Sequence, residues 1–213
     1  MSSLTSLLGI PIAIALLVLA VFILFYRRAN KQMSFVRTGM GGEKIVMDNG
    51  TMVLPLFHNF IKVNMQTIEI PIERVKDNAL ITLDHLRVDI IAHYFVRVET
   101  TVKGVSLAAQ TMGENTFKLD KVVDMFEERC EAALNAVVSR MTMDELHIKK
   151  EQFRDEVENF IQDDLASNGL VLQSVALTHI DQTELEYFKK ENVFDSQGLA
   201  ALKERMAADE KKR

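Results

Sequence analysis

The spacing of hydrophobic and polar positions changes several times along the chain, and each change marks an element. Leu7 to Tyr26 is twenty consecutive residues without a charge. At about 1.5 Å per helical residue this run covers roughly the 30 Å of a bilayer core, which predicts a membrane-spanning helix anchored by Leu7, Ile14, Leu17, Val21, Phe25 and Tyr26. A cleaved secretory signal would carry a charged start, a shorter apolar stretch and a small-residue cleavage site, and these are missing. Glu43 to Met47 and Thr51 to Leu54, separated by Asp48-Asn49-Gly50, read as a hairpin. Ile61, Val63 and Met65 then alternate with Lys62, Asn64 and Gln66, and the pattern continues through Ile68 and Ile70 as one half-buried strand that Pro71 ends or places at a sheet edge. The strongest alternation sets Val88, Ile90, Ala92, Tyr94, Val96 and Val98 on one face, with Arg87, Asp89, His93 and Arg97 on the other. Ala79 to Leu83 pairs with it across a tight Asp84-His85 turn, so the sheet is largely antiparallel.

From Thr101 the period becomes helical. Val102, Val105, Ala109 and Met112 line one side until Gly113 interrupts it. A longer helix, Leu119 to Arg140, carries the stripe Val123, Phe126, Cys130, Leu134, Val137 and Met141, which should lie across the apolar face of the sheet. Thr142 and Glu145 have the spacing of a capping box and open a third helix that ends at Asn168-Gly169, its buried side formed by Leu146, Phe153, Val157, Phe160, Ile161 and Leu165. Leu170 to Ile180 is a final strand whose parity slips between Leu172 and Val175, as at a bulge. Phe194 to Arg213 is helical and poor in apolar residues beyond Leu199, Leu202 and Met206, so these three are the candidate oligomer contacts.

Charge adds an orientation. No basic residue precedes the apolar run, whereas Arg27, Arg28, Lys31, Arg37 and Lys44 follow it, which puts the N-terminus outside and the folded part in the cytoplasm. The expected order is an extracytoplasmic 1–6, a span over 7–26, a basic juxtamembrane segment over 27–36, an α+β domain over 37–192 and the start of a C-terminal helix over 193–213. Arg27, Arg28 and Lys31 are placed to meet anionic headgroups. The apolar stretch Met52 to Phe57 reads either as a buried strand entering a proline turn or as a loop dipping into the inner leaflet through Leu54, Leu56 and Phe57. A net charge of −5 and the absence of a basic, aromatic-interleaved stripe exclude nucleic acid as an expected partner. The lone Cys130 excludes an intrachain disulfide and fits a reducing compartment.

Little in the sequence suggests chemistry. His58, His85, His93, His147 and His179 are scattered singly, without the spacing of a metal site. Gly39-Met40-Gly41-Gly42 lacks the strand-to-helix context of a phosphate loop and reads as a turn. Cys130 lies within a core stripe and lacks the setting of a nucleophile. The expectation is no catalytic residue, no cofactor and no metal.

Several segments resemble the SPFH or band 7 proteins (stomatin, prohibitin, flotillin), and among them the bacterial flotillin-like inner-membrane branch. They are Tyr26-Arg27-Arg28-Ala29, Phe35-Val36-Arg37-Thr38-Gly39 with Gly41-Gly42, Arg87-Val88-Asp89, Phe95-Val96-Arg97-Val98, Ala108 to Gly113, Met141 to Leu146, Asn168-Gly169-Leu170, and Phe194-Asp195 with Gly198-Leu199. The resemblance implies a domain with a mixed sheet flanked by helices at the inner face of a bacterial membrane, running into a long coiled coil of which this chain reaches only the start. Through that coil, subunits of the family form homo-oligomeric rings or cages. Such assemblies organise membrane microdomains and resident membrane proteins, often beside an NfeD-type membrane protein. The resemblance brings no catalytic residues. A different role found among relatives is that of a regulatory subunit controlling a membrane protease's access to substrates.

Overall fold

Strand β8 (Arg87–Val98) is the axis of the molecule. Val88, Ile90, Ala92, Tyr94, Val96 and Val98 are all completely buried, as a two-residue repeat requires when one sheet face is covered. The computed structural model describes residues 2–39, 42–47, 50–53, 58–189 and 192–210, without the side chains of 2–10, 21, 52, 205, 206 and 208–210. In it, β8 pairs antiparallel with β6 (Ile68–Arg74) and the two-residue β7 (Leu80–Ile81) on one side, and with β9 (Leu170–Gln182) on the other. The β7–β8 connection is the expected tight turn. His85 takes φ 61° and its amide donates to the Thr82 carbonyl at 3.0 Å, while the Asp84 carboxylate accepts from the Thr82 hydroxyl at 2.7 Å. Pro71 lies inside β6, an edge strand, where a missing N–H is tolerated, and the strand continues to Arg74.

β9 carries two bulges, an unexpected one at the register shift between Ile91 and Ala92 and, at the shift between Phe95 and Val96, the one behind the expected parity slip. Each leaves one β9 residue outside the pairing, Thr178 and Gln173, and each finds a side-chain partner. The Thr178 hydroxyl donates to the Ile91 carbonyl at 3.2 Å, and the Gln173 side-chain oxygen accepts from the Thr67 hydroxyl at 2.6 Å.

Two strand expectations are corrected. The run from Ile61 to Ile70 is two strands in different sheets, β5 (His58–Asn64) and β6. The break comes at Asn64, whose side-chain oxygen accepts from the Gln66 amide at 3.0 Å and bends the chain locally instead of letting it continue extended. Nor do the two short strands around Asp48-Asn49-Gly50 form a hairpin with each other. β3 (Lys44–Val46) folds back on β2 (Met33–Gly39), and β4 (Gly50–Met52) pairs with β1 (Tyr26–Arg28). Gly39 and Gly42 take φ of 130° and 83°, and the Gly42 amide donates to the Gly39 carbonyl at 3.0 Å, which makes the β2–β3 turn. Seven-residue β2 is held along its other edge by β5, so it offers three-residue β3 a fixed partner. Asp48 and Asn49 lie outside the described residues.

Helices cover the apolar face of the large sheet. α2 (Val102–Thr111) is capped by Thr101, whose hydroxyl oxygen accepts from the Gly104 amide at 3.0 Å. Val105, Ala108, Ala109 and Met112 are buried, but Val102, in the first turn, faces solvent. α3 (Leu119–Val138) buries Phe126, Cys130, Leu134 and Val137 as expected, with Val122 rather than Val123 completing the inward stripe. The Tyr94 hydroxyl donates to the Cys130 carbonyl at 2.9 Å and ties helix to sheet. The expected third helix is two, α4 (Met143–Ile148) and α5 (Lys150–Ala166), separated at Lys149, whose ψ of 42° breaks the helical path. The capping box is present in both directions between Thr142 and Glu145. Gly169 follows α5 with φ 73°, and a Cβ there would run into the Gly104 carbonyl, so glycine is required on two counts. Phe160, expected inward, is exposed; Phe153, Val157, Ile161 and Leu165 carry the buried side.

The chain is therefore α+β, with a main core between sheet and helices, and every pairing among the described strands is antiparallel where a mixed sheet was expected. A second, small cluster of Ala29, Phe35 and Val46, flanked by Met33 and Phe60, sits in the β2 sheet. α1 (Ser2–Phe25) precedes the domain and α6 (Val193–Glu210) follows it. Among the described residues no helix is long and apolar enough to cross a membrane. The run expected to span the bilayer, Leu7 to Tyr26, is helical as far as Phe25.

Candidate functional site

The histidines remain scattered. Among the described residues no three His, Cys, Asp or Glu gather to hold a metal ion. His93 Nδ1 lies 2.7 Å from Glu69 Oε1 across two strands. Cys130 is fully buried, and desolvation, with a smaller push from Glu127, raises its thiol to about 12, which makes it a packing residue as the stripe predicted. Two other places concentrate unusual side chains, one at each end of the domain.

The first is the junction of α1 with the sheet. The helix ends at Phe25, and Tyr26, expected inside the span, begins β1 instead. The Val53 amide donates to the Phe25 carbonyl at 3.0 Å, so β4 caps the helix end and fixes its exit. Tyr26 stacks on Phe22 with ring centroids 5.4 Å apart and lies over Gly50, where any side chain would strike its ring. Arg27, Arg28 and Lys31 are exposed as expected. β2 crosses the expected boundary at residue 37, so the juxtamembrane segment is itself part of a folded sheet. Ile14 and Leu17 are exposed and Phe25 half-buried; Val21 and Leu7 belong to the undescribed side chains, and Leu54, Leu56 and Phe57 lie outside the described residues altogether.

The second place is where α6 leaves the domain. Arg87 belongs to the face of β8 opposite the core, yet it is 5% exposed. Its Nε donates to Asp195 Oδ1 at 2.9 Å and its Nη2 to Oδ2 at 3.0 Å, a bidentate pair across 108 residues of sequence. Asp195 also accepts from the Lys189 amide at 2.9 Å, and Arg87 Nη1 donates to the Asp77 carbonyl at 3.3 Å. Burial alone would raise the Asp195 carboxyl; the hydrogen bonds from Arg87 and Lys189, with their positive charges, outweigh it and hold the group below its ordinary value. One turn on, a Cβ at Gly198 would run into the His85 carbonyl, and the His85 and Phe194 rings lie 5.3 Å apart. Leu199 is half-buried and Leu202 packs against the main core, so Leu202 helps seat α6 on its own domain; the Met206 side chain is among those not described.

Sequence reasoning placed Arg87 on the solvent face and did not connect it to Asp195. Both residues stand in the segments that carried the resemblance, Arg87-Val88-Asp89 and Phe194-Asp195, but spacing along a chain does not say which segments meet. Lys62, Phe35 and Phe60, which join Arg27 and Arg28 around a cavity beside α1, were likewise not connected with them; an isolated lysine on an alternating strand reads as a solvent-facing position.

The model of the SPFH domain / Band 7 family matches residues 28–212. The flotillin family inner membrane protein YqiK of Escherichia coli (strain K12) is 41% identical over 193 residues, covering 91% of this chain and 35% of that protein. The flotillin family inner membrane protein sll1021 of Synechocystis is 29% identical, over 88% of this chain and 29% of its own length. The flotillin-like protein FloT of Bacillus subtilis (strain 168) is 25% identical, over 81% and 36%. The chain thus spans about a third of the length of these relatives. With the family model covering most of the chain, and with Arg87 and Asp195 meeting across two of the segments that resembled the family, the chain belongs to the SPFH domain / Band 7 family.

Proposed function

We propose that this chain is the membrane-proximal part of a flotillin-like scaffold of the bacterial inner membrane. α1 crosses the bilayer once with its N-terminus outside. Arg27, Arg28 and Lys31 rest on the inner-leaflet headgroups, and the α+β domain lies against the cytoplasmic face. α6 leads into a helical element through which copies associate and border a patch of membrane with its resident proteins. The observation that carries this reading is the contrast in α1: Ser2–Phe25 is an uncharged 24-residue helix whose described apolar side chains are left bare by the protein. Such a surface is stable in lipid and unfavourable in water. The inner-membrane names of two relatives support the location, and the basic residues confined to the C-terminal side of the helix support the orientation.

The test is the mass of the detergent-extracted chain by light scattering, beside a version cut before Val193. A large discrete particle that falls to a smaller species on truncation is expected. A monomer in both removes self-association from the role of this chain. The reading as a regulatory subunit of a membrane protease draws on the same geometry without an observation of its own; a protease held stably by the extracted chain is the result that favours it.

A further inference from the structure

The end of α1 does not sit flush on the domain. Between it and the β2–β5 pair is a cavity of about 610 Å³, within the size range of small-ligand sites. Its walls have two characters. Leu24, Phe25, Phe35 and Phe60 are among its apolar lining residues, and the Phe35 and Phe60 rings stand 4.6 Å apart. Arg27, Arg28 and Lys62 are its cations, and Lys62 lies directly across the β2–β5 pair from Phe35. No carboxylate is among the described lining residues, in a chain with 30 Asp and Glu and a net charge of −5. Nor do these three cations form an ion pair with a described residue. Lys62 also stands apart in origin: it comes from β5, far along the chain from the basic run that follows α1, and the β2–β5 pairing brings it there.

We propose that this cavity binds one anionic glycerophospholipid of the inner leaflet, its phosphate on Arg28 and Lys62 and an acyl chain against Phe25 and Phe60, continuing along α1. The proposal rests on the reading of α1 as a membrane anchor, which sets the cavity at headgroup depth, where aromatic rings and cations meet lipid favourably. Charge complementarity decides the occupant. A zwitterionic lipid brings its own cation against a cationic rim that offers it no carboxylate, while a lipid of net negative charge leaves the rim satisfied. Each cation near the surface contributes on the order of 1 kcal/mol, so removing one weakens anionic-lipid binding about fivefold.

The chain has no tryptophan, so a single introduced one is a clean reporter. Phe60→Trp is placed in nanodiscs of unlabelled phosphatidylcholine containing increasing fractions of acyl-brominated phosphatidylglycerol or acyl-brominated phosphatidylcholine, and quenching is measured. Leu17→Trp, in the middle of α1 and outside the cavity, is the reference. Quenching of Phe60→Trp at a clearly lower fraction of the anionic lipid is expected, moving about fivefold toward phosphatidylcholine behaviour when Arg28→Gln or Lys62→Gln is added. Leu17→Trp should be quenched by both lipids alike. Equal quenching of Phe60→Trp by the two lipids, or selectivity untouched by both glutamine changes, overturns the site while leaving the anchor intact. A Leu17→Trp quenched by neither overturns the anchor reading itself. Phe35→Trp is the second probe of the same wall, used with circular dichroism to confirm that the reporter chain is folded.

Discussion

The two terminal helices meet the domain in opposite ways. α1 arrives with its described apolar side chains uncovered, Leu17 and Leu24 each 67% exposed, and touches the domain through backbone pairing at β1 and the Val53 amide. α6 departs through the interior: a carboxylate with no solvent exposure, a guanidinium nearly as buried, and a glycine pressed against a backbone carbonyl. A helix with bare apolar flanks relies on the surrounding medium for its stability, and a helix seated by buried charges relies on its own fold. So the medium governs the position of α1, whereas the domain governs the direction in which α6 leaves. In the proposed role as a scaffold a rigid exit matters, because small errors in direction grow along any helix that extends from it.

The sharpest way to break this contrast is to remove one half of the buried pair. Asp195→Ala leaves Arg87 charged and unpaired inside the fold, a loss of about 3–5 kcal/mol, and should free α6 from the domain. Urea unfolding together with limited proteolysis between Lys189 and Ser196 reads both effects. Arg87→Met with Asp195→Leu should recover most of the loss, because replacing both charges removes the unpaired ion that makes the single change costly. Preserved stability in Asp195→Ala alone would mean that packing, and not the pair, seats α6.

At the other end, Leu17→Lys puts a charge in the middle of the apolar run, at a cost of about 2.5–3.5 kcal/mol for insertion. The protein should then be released from membranes by alkaline carbonate while its domain unfolds in urea as before. A smaller effect comes from Gly198→Ala. The added methyl meets the His85 carbonyl, and backbone must shift; an overpacking cost of about 1–3 kcal/mol is expected, confined to the docking of α6.

The alternation in β8, the capping box before α4, the Cys130 stripe and the glycine after α5 were all legible in the sequence, because each is written within a single helix turn or strand period. The misreadings have longer reach. β3 and β4 are three residues each, too short to specify a partner, so their neighbours were decided by β2, just before β3, and by β1, some twenty residues upstream of β4. Asn64 ended a strand through its side chain, and Lys149 split a helix without a glycine or proline to announce it. Of the two functional ends, the apolar run and its basic collar were visible in full, since they are contiguous. The Arg87–Asp195 pair and the Lys62 contribution to the cavity exist only once distant strands have been brought together.

Acid separates the two ends most gently, and its sign is fixed by Asp195. Burial pushes that carboxyl up, but the Arg87 and Lys189 hydrogen bonds and charges prevail, so in the folded chain it titrates below its unfolded value of about 3.9. Such a group contributes its full stabilisation above the unfolded value and loses it as pH falls through the lower, folded one. α1 has no titratable side chain between Ser2 and Phe25, so its insertion is indifferent over the same range. A spin label on Ala200→Cys, an exposed position one turn past Asp195, reports α6 directly, because Cys130 is buried and its thiol too weakly acidic to compete for the reagent. The label should remain immobile to about pH 4 and loosen below it, while carbonate-resistant membrane association of parallel samples stays constant. With Asp195→Asn added, the label should be mobile throughout. An Ala200→Cys label that stays immobile to the lowest pH would show that Gly198 against His85, and Leu202 against the core, hold the helix without the charge pair, and the contrast between the two ends would then be one of covering alone.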